Sequence, residues 1–403
     1  MARFEPFTGL RYRKDIDLNQ VTSPPYDVIA DRERAMLAER TPYNAVHVDL
    51  PVEGADPYAE AARRLGRWQD EGVLVTDAEP SFYLYRTGWH EPSGQARQTT
   101  GVLGALALPD PDGGGSDVLP HEHTTPKAKS DRLALLRATG HNLSPIWALS
   151  LAEGLSELSE PNGPPVGRCT DEAGVHHRLW RVTSSALLDA VTSLVASAPV
   201  VIADGHHRYE TSMAFRDERR AAGDGPGAAD LTLALLVELT ESELAVQAIH
   251  RLVRGLPEDF DLVAALEPFF EPLQLVAMDE SLTQRMVEVG GLALVVSGGS
   301  AWLLRPREDA FPAGIPDLDS SRLDVARAAL PAHEVVYQHG PGAVAERVDL
   351  GEFDAGFLLR PATVDQIAAT ARSRDRMPPK TTYFFPKPRT GFLFRSLLSD
   401  IGS

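Results

Sequence analysis

Residues 200 to 218 constrain the fold of this chain more than any other stretch. Val200-Val201-Ile202-Ala203 is apolar and β-prone, and reads as the end of a buried strand. Asp204-Gly205 breaks the run, and Gly205 opens the left-handed backbone region and allows close approach to a ligand. From His206 onward Tyr209, Met213 and Ala214 recur at helical spacing. A strand, a glycine turn and a helix start aim the first N–H groups of the helix at one spot, which suits an anion, above all a phosphate. Asp204, His206, His207 and Arg208 add donors, a fixed charge and a base or metal ligand. The plainer alternative is a turn with a polar helix cap.

Composition limits the rest. A chain of 403 residues with 43% hydrophobic and 24% charged residues has room for two or three domains, or one elaborated domain, with a large core. A net charge of −18 argues against a general DNA binder or a membrane-surface protein, while leaving room for a local basic pocket. A single cysteine, Cys169, excludes an internal disulfide and fits a reducing compartment. No apolar run reaches the length of a membrane span, and Met1-Ala2-Arg3-Phe4-Glu5-Pro6 lacks the apolar core of a signal peptide, so a cytoplasmic protein is expected.

Other polar blocks stand apart from this background. Ser23-Pro24-Pro25 stiffens the chain before Tyr26 and Asp27 and presents both on a loop, for substrate or for structure alone. His121-Glu122-His123 precedes Lys127, Lys129 and Arg132, a local basic cluster at a helix start that suits phosphate or, equally, a solvated loop. In the tail, Lys380, Lys387 and Arg389 lie among aromatics and prolines between Met377 and Phe392. Periodicity predicts helices over residues 31–40, 56–72, 184–198, 261–270 and 282–289. It predicts strands over 45–50, 81–86, 99–108, 231–239, 246–251, 292–297, 301–305 and 334–337. Residues 151–180 read as a partly exposed insertion, with Cys169 in a loop and His176-His177 on a strand surface.

Taken together, Arg11-Tyr12, Ser23 to Asp27, Glu122 to Arg132, Asn142 to Pro145, Ala203 to Glu210 and Met377 to Gly391 resemble the bacterial family catalogued as domain of unknown function 1015. More distantly, Ile202 to Thr211 is similar to the glycine-histidine-arginine turn of the ParB and sulfiredoxin superfamily, which includes ADP-dependent free-serine kinases. That resemblance implies phosphate contacts at Gly205, His206, His207 and Arg208, with Asp204 as the acidic residue before the turn. The chain departs from sulfiredoxin in having no cysteine at the turn. It departs from ParB in its charge and in having no recognisable helix-turn-helix segment.

The sequence reading is therefore an α/β protein of mixed sheets, with a ParB/sulfiredoxin-like core and an additional α/β subdomain. The expected divisions are residues 1–255, 256–376, and a tail, 377–403, that returns to the site. The expected activity is phosphoryl transfer from ATP or ADP with Mg²⁺ to a small hydroxylated metabolite, with free L-serine as the first candidate. Glu122, Asp204 and His206 are the expected catalytic residues, and Asp204 the metal ligand. Gly205, His206, His207, Arg208, Lys127, Lys129 and Arg132 are expected to hold the nucleotide. Tyr26, Asp27, His123, Lys380 and Lys387 are expected to hold the substrate. A nucleotide-binding regulator without transfer and a metal-dependent phosphoester hydrolase are the alternatives. Partners are expected to be small molecules rather than DNA or membrane, with homo-oligomerisation left open.

Overall fold

The computed structural model describes residues 1–91, 93–110, 117–120, 126–373 and 377–398, and for residues 120 and 126–129 the backbone alone. Among these residues the chain is a mixed α/β protein of two compact units. The first is drawn from residues 1–120, 126–244 and 386–398, the second from Ala245–Phe385.

The first unit is built on a mixed nine-stranded sheet. Its strands run in the order Val118–Pro120, Val200–Asp204, Ile146–Ser150, Leu231–Glu238, Ala96–Ala107, Phe82–His90, His176–Val182 and Gly167–Thr170, with Phe4–Glu5 also on Ala96–Ala107. Val200–Asp204 lies parallel to Val118–Pro120 and antiparallel to Ile146–Ser150. Its first four residues are buried, as a strand covered on both faces requires. Leu231–Glu238, read from its unbroken apolar run, is buried over seven of its eight residues. The helix Ser185–Ala196 puts Val191 and Val195 into the core of this sheet, and the helix His206–Ala221 adds Tyr209. A second, four-stranded antiparallel sheet joins Leu74–Thr76, Gly9–Tyr12, Phe394–Ser396 and His141–Asn142, so the end of the chain completes this unit.

The second unit is a six-stranded antiparallel sheet. Its order is Phe270–Ala277, Ser300–Pro306, Leu292–Val296, Ala355–Leu358, His250–Arg254 and Glu334–Gln338, and Ala245–Ala248 pairs separately with Thr382–Phe385.

Several local expectations are corrected. Residues 45–50 contain the helix Val46–Asp49, not a strand. All four of its residues are buried, so the polar-apolar alternation marks no solvent face, and Asn44 starts the turn by accepting the Val46 N–H. The helix expected over 261–270 stops at Leu266, because Pro268 has no N–H to continue it, and Phe270 opens a strand. Residues 246–251 belong to two strands in different sheets. Residues 151–180 contribute Gly167–Thr170 and the start of His176–Val182 to the central sheet, with Cys169 buried on a strand and His177 fully buried.

Candidate functional site

The turn after Val200–Asp204 is the one expected. Gly205 has φ 87° and ψ 26°, the left-handed region where a side chain is strained, and its C=O accepts the Tyr209 N–H to close the first turn of His206–Ala221. One helical turn beyond Asp204, Arg208 reaches back. Its Nη2 donates to Asp204 Oδ2 at 3.0 Å, and its Nη1 to Ser144 Oγ at 3.1 Å and to the Pro145 C=O. The Arg208 Nε is buried and has no acceptor among the described residues. Burial works against the charge of this guanidinium, but Asp204 and then Asp27 outweigh it and hold the pKa above its ordinary value.

Lys387 lies between two carboxylates. Its Nζ donates to Asp204 Oδ1 at 2.8 Å and to Asp27 Oδ2 at 2.9 Å, with its side chain 9% exposed. Burial would lower the pKa of this ammonium; Asp204 and Asp27 together raise it instead. Tyr26 opens the short 3-10 turn Tyr26–Val28 that follows Pro24-Pro25. The Arg132 guanidinium stacks over its ring at 4.1 Å, and that of Arg208 stands 5.9 Å away. Arg132 also donates to the Asp49 C=O at 2.6 Å and pairs with Asp131. Burial pushes the Asp49 carboxyl up, against the pull of Arg132 and Arg208, and Thr390 Oγ1 donates to it at 3.1 Å.

The C-terminal segment is tied down beside this cluster. Thr390 and Ser23 exchange backbone hydrogen bonds, and Arg389 donates to both oxygens of Thr22. The Arg389 N–H donates to the buried Tyr85 hydroxyl, which sits 2.8 Å from His177 Nδ1, while His177 Nε2 faces Asp171 at 3.2 Å. Burial holds the His177 pKa down despite Asp171, which leaves a neutral ring between a hydroxyl and a carboxylate. Tyr26, Asp49, Arg132, Ser144, Arg208 and Ser212 help to line a cavity of about 50 Å³. That is room for a phosphate-sized group or a few waters, well short of the several hundred Å³ of a typical small-molecule site.

The family described as a protein of unknown function (DUF1015) matches residues 4–326. The chain belongs to that family. Within the DUF1015 match lie the turn, Tyr26, Asp27, Asp49 and Arg132; Lys387 and Thr390 lie beyond it. Comparison with curated proteins gives no match. Among solved structures, the chain is similar to a conserved hypothetical protein from Pyrococcus furiosus at 14% identity, covering 70% of this chain and 92% of that one, with a TM-score of 0.36. It is similar to a free serine kinase in complex with AMP at 14% identity, covering 68% and 88%, with a TM-score of 0.36. It is also similar to SbnI with C-terminal truncation from Staphylococcus aureus at 11% identity, covering 74% and 90%, with a TM-score of 0.41.

In this DUF1015 chain the residues singled out from sequence divide as follows. Tyr26, Asp27, Arg132, Asp204, Gly205, Arg208 and Lys387 come together in the first unit. His206 is buried and His207 half-buried in the first turn of the helix. Lys127 and Lys129 lie on the helix Pro126–Thr139, and Lys380 belongs to the second unit. Glu122 and His123 lie outside the described residues. Asp204, the expected metal ligand, has one oxygen on Lys387 and the other on Arg208. Among the described residues no three His, Cys, Asp or Glu side chains stand grouped to hold a metal ion. These donors fit an anion; they do not fit a magnesium ion held by the protein alone. Sequence reasoning missed Asp49; Arg389 and Thr390 lay in the tail block expected to return to the site but were given no role of their own. Ser144 was signalled only by its place in the Asn142 to Pro145 block.

No helix among the described residues is long and apolar enough to cross a membrane.

Proposed function

We propose that the first unit binds the phosphates of a nucleotide and transfers a phosphoryl group to the hydroxyl of a small metabolite. The observation that carries this reading is the buried Arg208 Nε, without an acceptor among the described residues, beside a phosphate-sized cavity that Arg132, Ser144 and Ser212 also line. In the protein interior an unmet donor costs about 1–3 kcal/mol, which a phosphate oxygen would relieve. Arg208 and Arg132 then hold the phosphate, and Asp204 orients Arg208. Asp27, at 35% exposure the more open of the two carboxylates on Lys387, takes the acceptor's proton. The acceptor oxygen forms the new P–O bond as the bond to the nucleotide leaving group breaks, and the leaving group carries away the bonding pair. Free L-serine is the first acceptor to test, on the resemblance of Ile202 to Thr211 to the serine-kinase turn.

The small size of the cavity favours a second reading, in which the site binds a phosphate group and transfers nothing. A thermal-shift screen against ATP, ADP, CTP and GTP, followed by acceptor assays, decides between them. A ligand at 100 times its Kd stabilises the fold by about 2.7 kcal/mol. Transfer predicts that Asp27→Asn keeps the shift and loses at least a hundredfold in turnover. Binding without turnover in the native protein supports the second reading, and absence of any shift overturns both.

A further inference from the structure

A groove in the first unit shares no lining residue with the cavity beside Arg208 and has no part in the reading above. It wraps the edge strand Gly167–Thr170, has a volume of about 830 Å³, and is lined by residues 12–19, 164–170 and 176–178. That volume falls within the range of small-molecule sites.

Its charge is unusual for this protein. In a chain of net charge −18, the groove carries Arg13, Lys14, Arg168 and Arg178 against Asp15 and Asp17. Both acids are already engaged: Asp15 pairs with Arg13 at 2.6 Å, and Asp17 caps the helix Leu18–Val21 by accepting the Asn19 N–H. Lys14, Arg168 and Arg178 have no ion pair among the described residues.

The sheet register sharpens the point. Arg178 lies directly opposite Arg168 on one side and directly opposite Arg86 on the other, so three guanidinium side chains leave the same face in a row across adjacent strands. Like charges directly opposite each other destabilise a sheet. Arg86 is offset by Thr100 and Glu160. Arg168 and Arg178 are exposed and have no such partner. Neighbouring strands stand about 4.8 Å apart, a spacing that successive phosphates of an oligophosphate can bridge.

We propose that this groove is a second ligand site, which takes a small oligophosphate through Arg168, Arg178 and Lys14. Exposed cations bind such a ligand with marked salt dependence, so the affinity falls steeply with ionic strength.

The test is calorimetric titration of the full chain with inorganic tripolyphosphate at low salt, on the native protein and on Arg168→Ala/Arg178→Ala. Both side chains are exposed and oppose each other, so the double variant is expected to fold with a Tm at or above the native value. Two binding events in the native protein, with one weakened at least tenfold in the variant, support both sites. A single event lost in the variant supports the groove and overturns phosphate binding at the Gly205 turn. A single event unchanged in the variant overturns the groove alone, and no binding overturns both.

Discussion

Lys387→Met tests whether the C-terminal segment is an energetic part of the site or only lies beside it. The ammonium donates to Asp27 and Asp204 at 2.9 and 2.8 Å and is itself buried. Removing one partner from a fully buried ion pair costs about 3–5 kcal/mol. Here the carboxylates are 35% and 25% exposed, and Asp204 retains Arg208 at 3.0 Å, so water and the second cation reduce the loss to about 2 kcal/mol. For a unit of this size that is a fall in Tm of roughly 4–8 °C. The lysine pKa is raised by folding, so its contribution is fully present below the unfolded value of 10.5 and is lost as pH climbs above it. Thermal unfolding of both proteins from pH 6 to 11 should therefore show a constant gap that narrows only at the alkaline end. In an Asp27→Asn background the same substitution should cost about 1 kcal/mol less. A variant within 1 °C of the native Tm at pH 7, or a gap that narrows between pH 6 and 8, refutes this account of the ion triad.

Gly205→Ala forces a side chain into φ 87° and places its Cβ 3.1 Å from the Arg208 guanidinium; we expect a loss of about 1–2 kcal/mol and weaker phosphate binding, read by denaturant midpoint and titration. His250, in the second unit, is held neutral by burial and then by Arg251, with its pKa lowered to about 4, and its Nδ1 accepts the Leu359 N–H. Its stabilisation is complete above the unfolded value of 6.5 and is lost as pH falls toward 4, by up to about 3 kcal/mol. The native Tm should decline over that window, and His250→Asn should flatten the decline. An equal slope in both proteins would rule the histidine out.

The parts of the site that were legible in the sequence are those made by neighbours in the chain. Val200 to Arg208 holds a strand, a left-handed glycine and an arginine one helical turn past an aspartate, and each follows from local chemistry. Asp49 was hidden because its short helix is buried on every side, so its polar residues trace no periodic face. Arg389 and Thr390 become site residues only when β-bridging to Ser23 brings the chain end back across more than 360 residues. The cationic tail block suggested a return to the site, but nothing local in it names Ser23 as the partner. The tail block that reads as one cationic stretch divides at Phe385 and Pro386, which leaves Lys380 in one unit and Lys387 in the other.

The charge balance of the cluster sets a condition on any ligand. Arg132, Arg208 and Lys387 supply three cations, and Asp27, Asp49, Asp131 and Asp204 lie against them as four carboxylates. The cluster has no surplus of positive charge, so a phosphate must either draw a cation away from its carboxylate or arrive with a counter-ion of its own. Asp27 is the carboxylate most easily spared, because it holds Lys387 from the most exposed position. Asp27→Asn should therefore release Lys387 toward the ligand. It removes one negative charge from the cluster, worth roughly 1–2 kcal/mol to a phosphate bound within several ångströms of it, at an effective dielectric of about 20 once salt screening is allowed for. Affinity for ADP without magnesium should rise about tenfold, and the rise should shrink when magnesium is added. Unchanged or weaker metal-free binding by Asp27→Asn would show that Lys387 serves to lock the C-terminal segment in place and does not meet the phosphate.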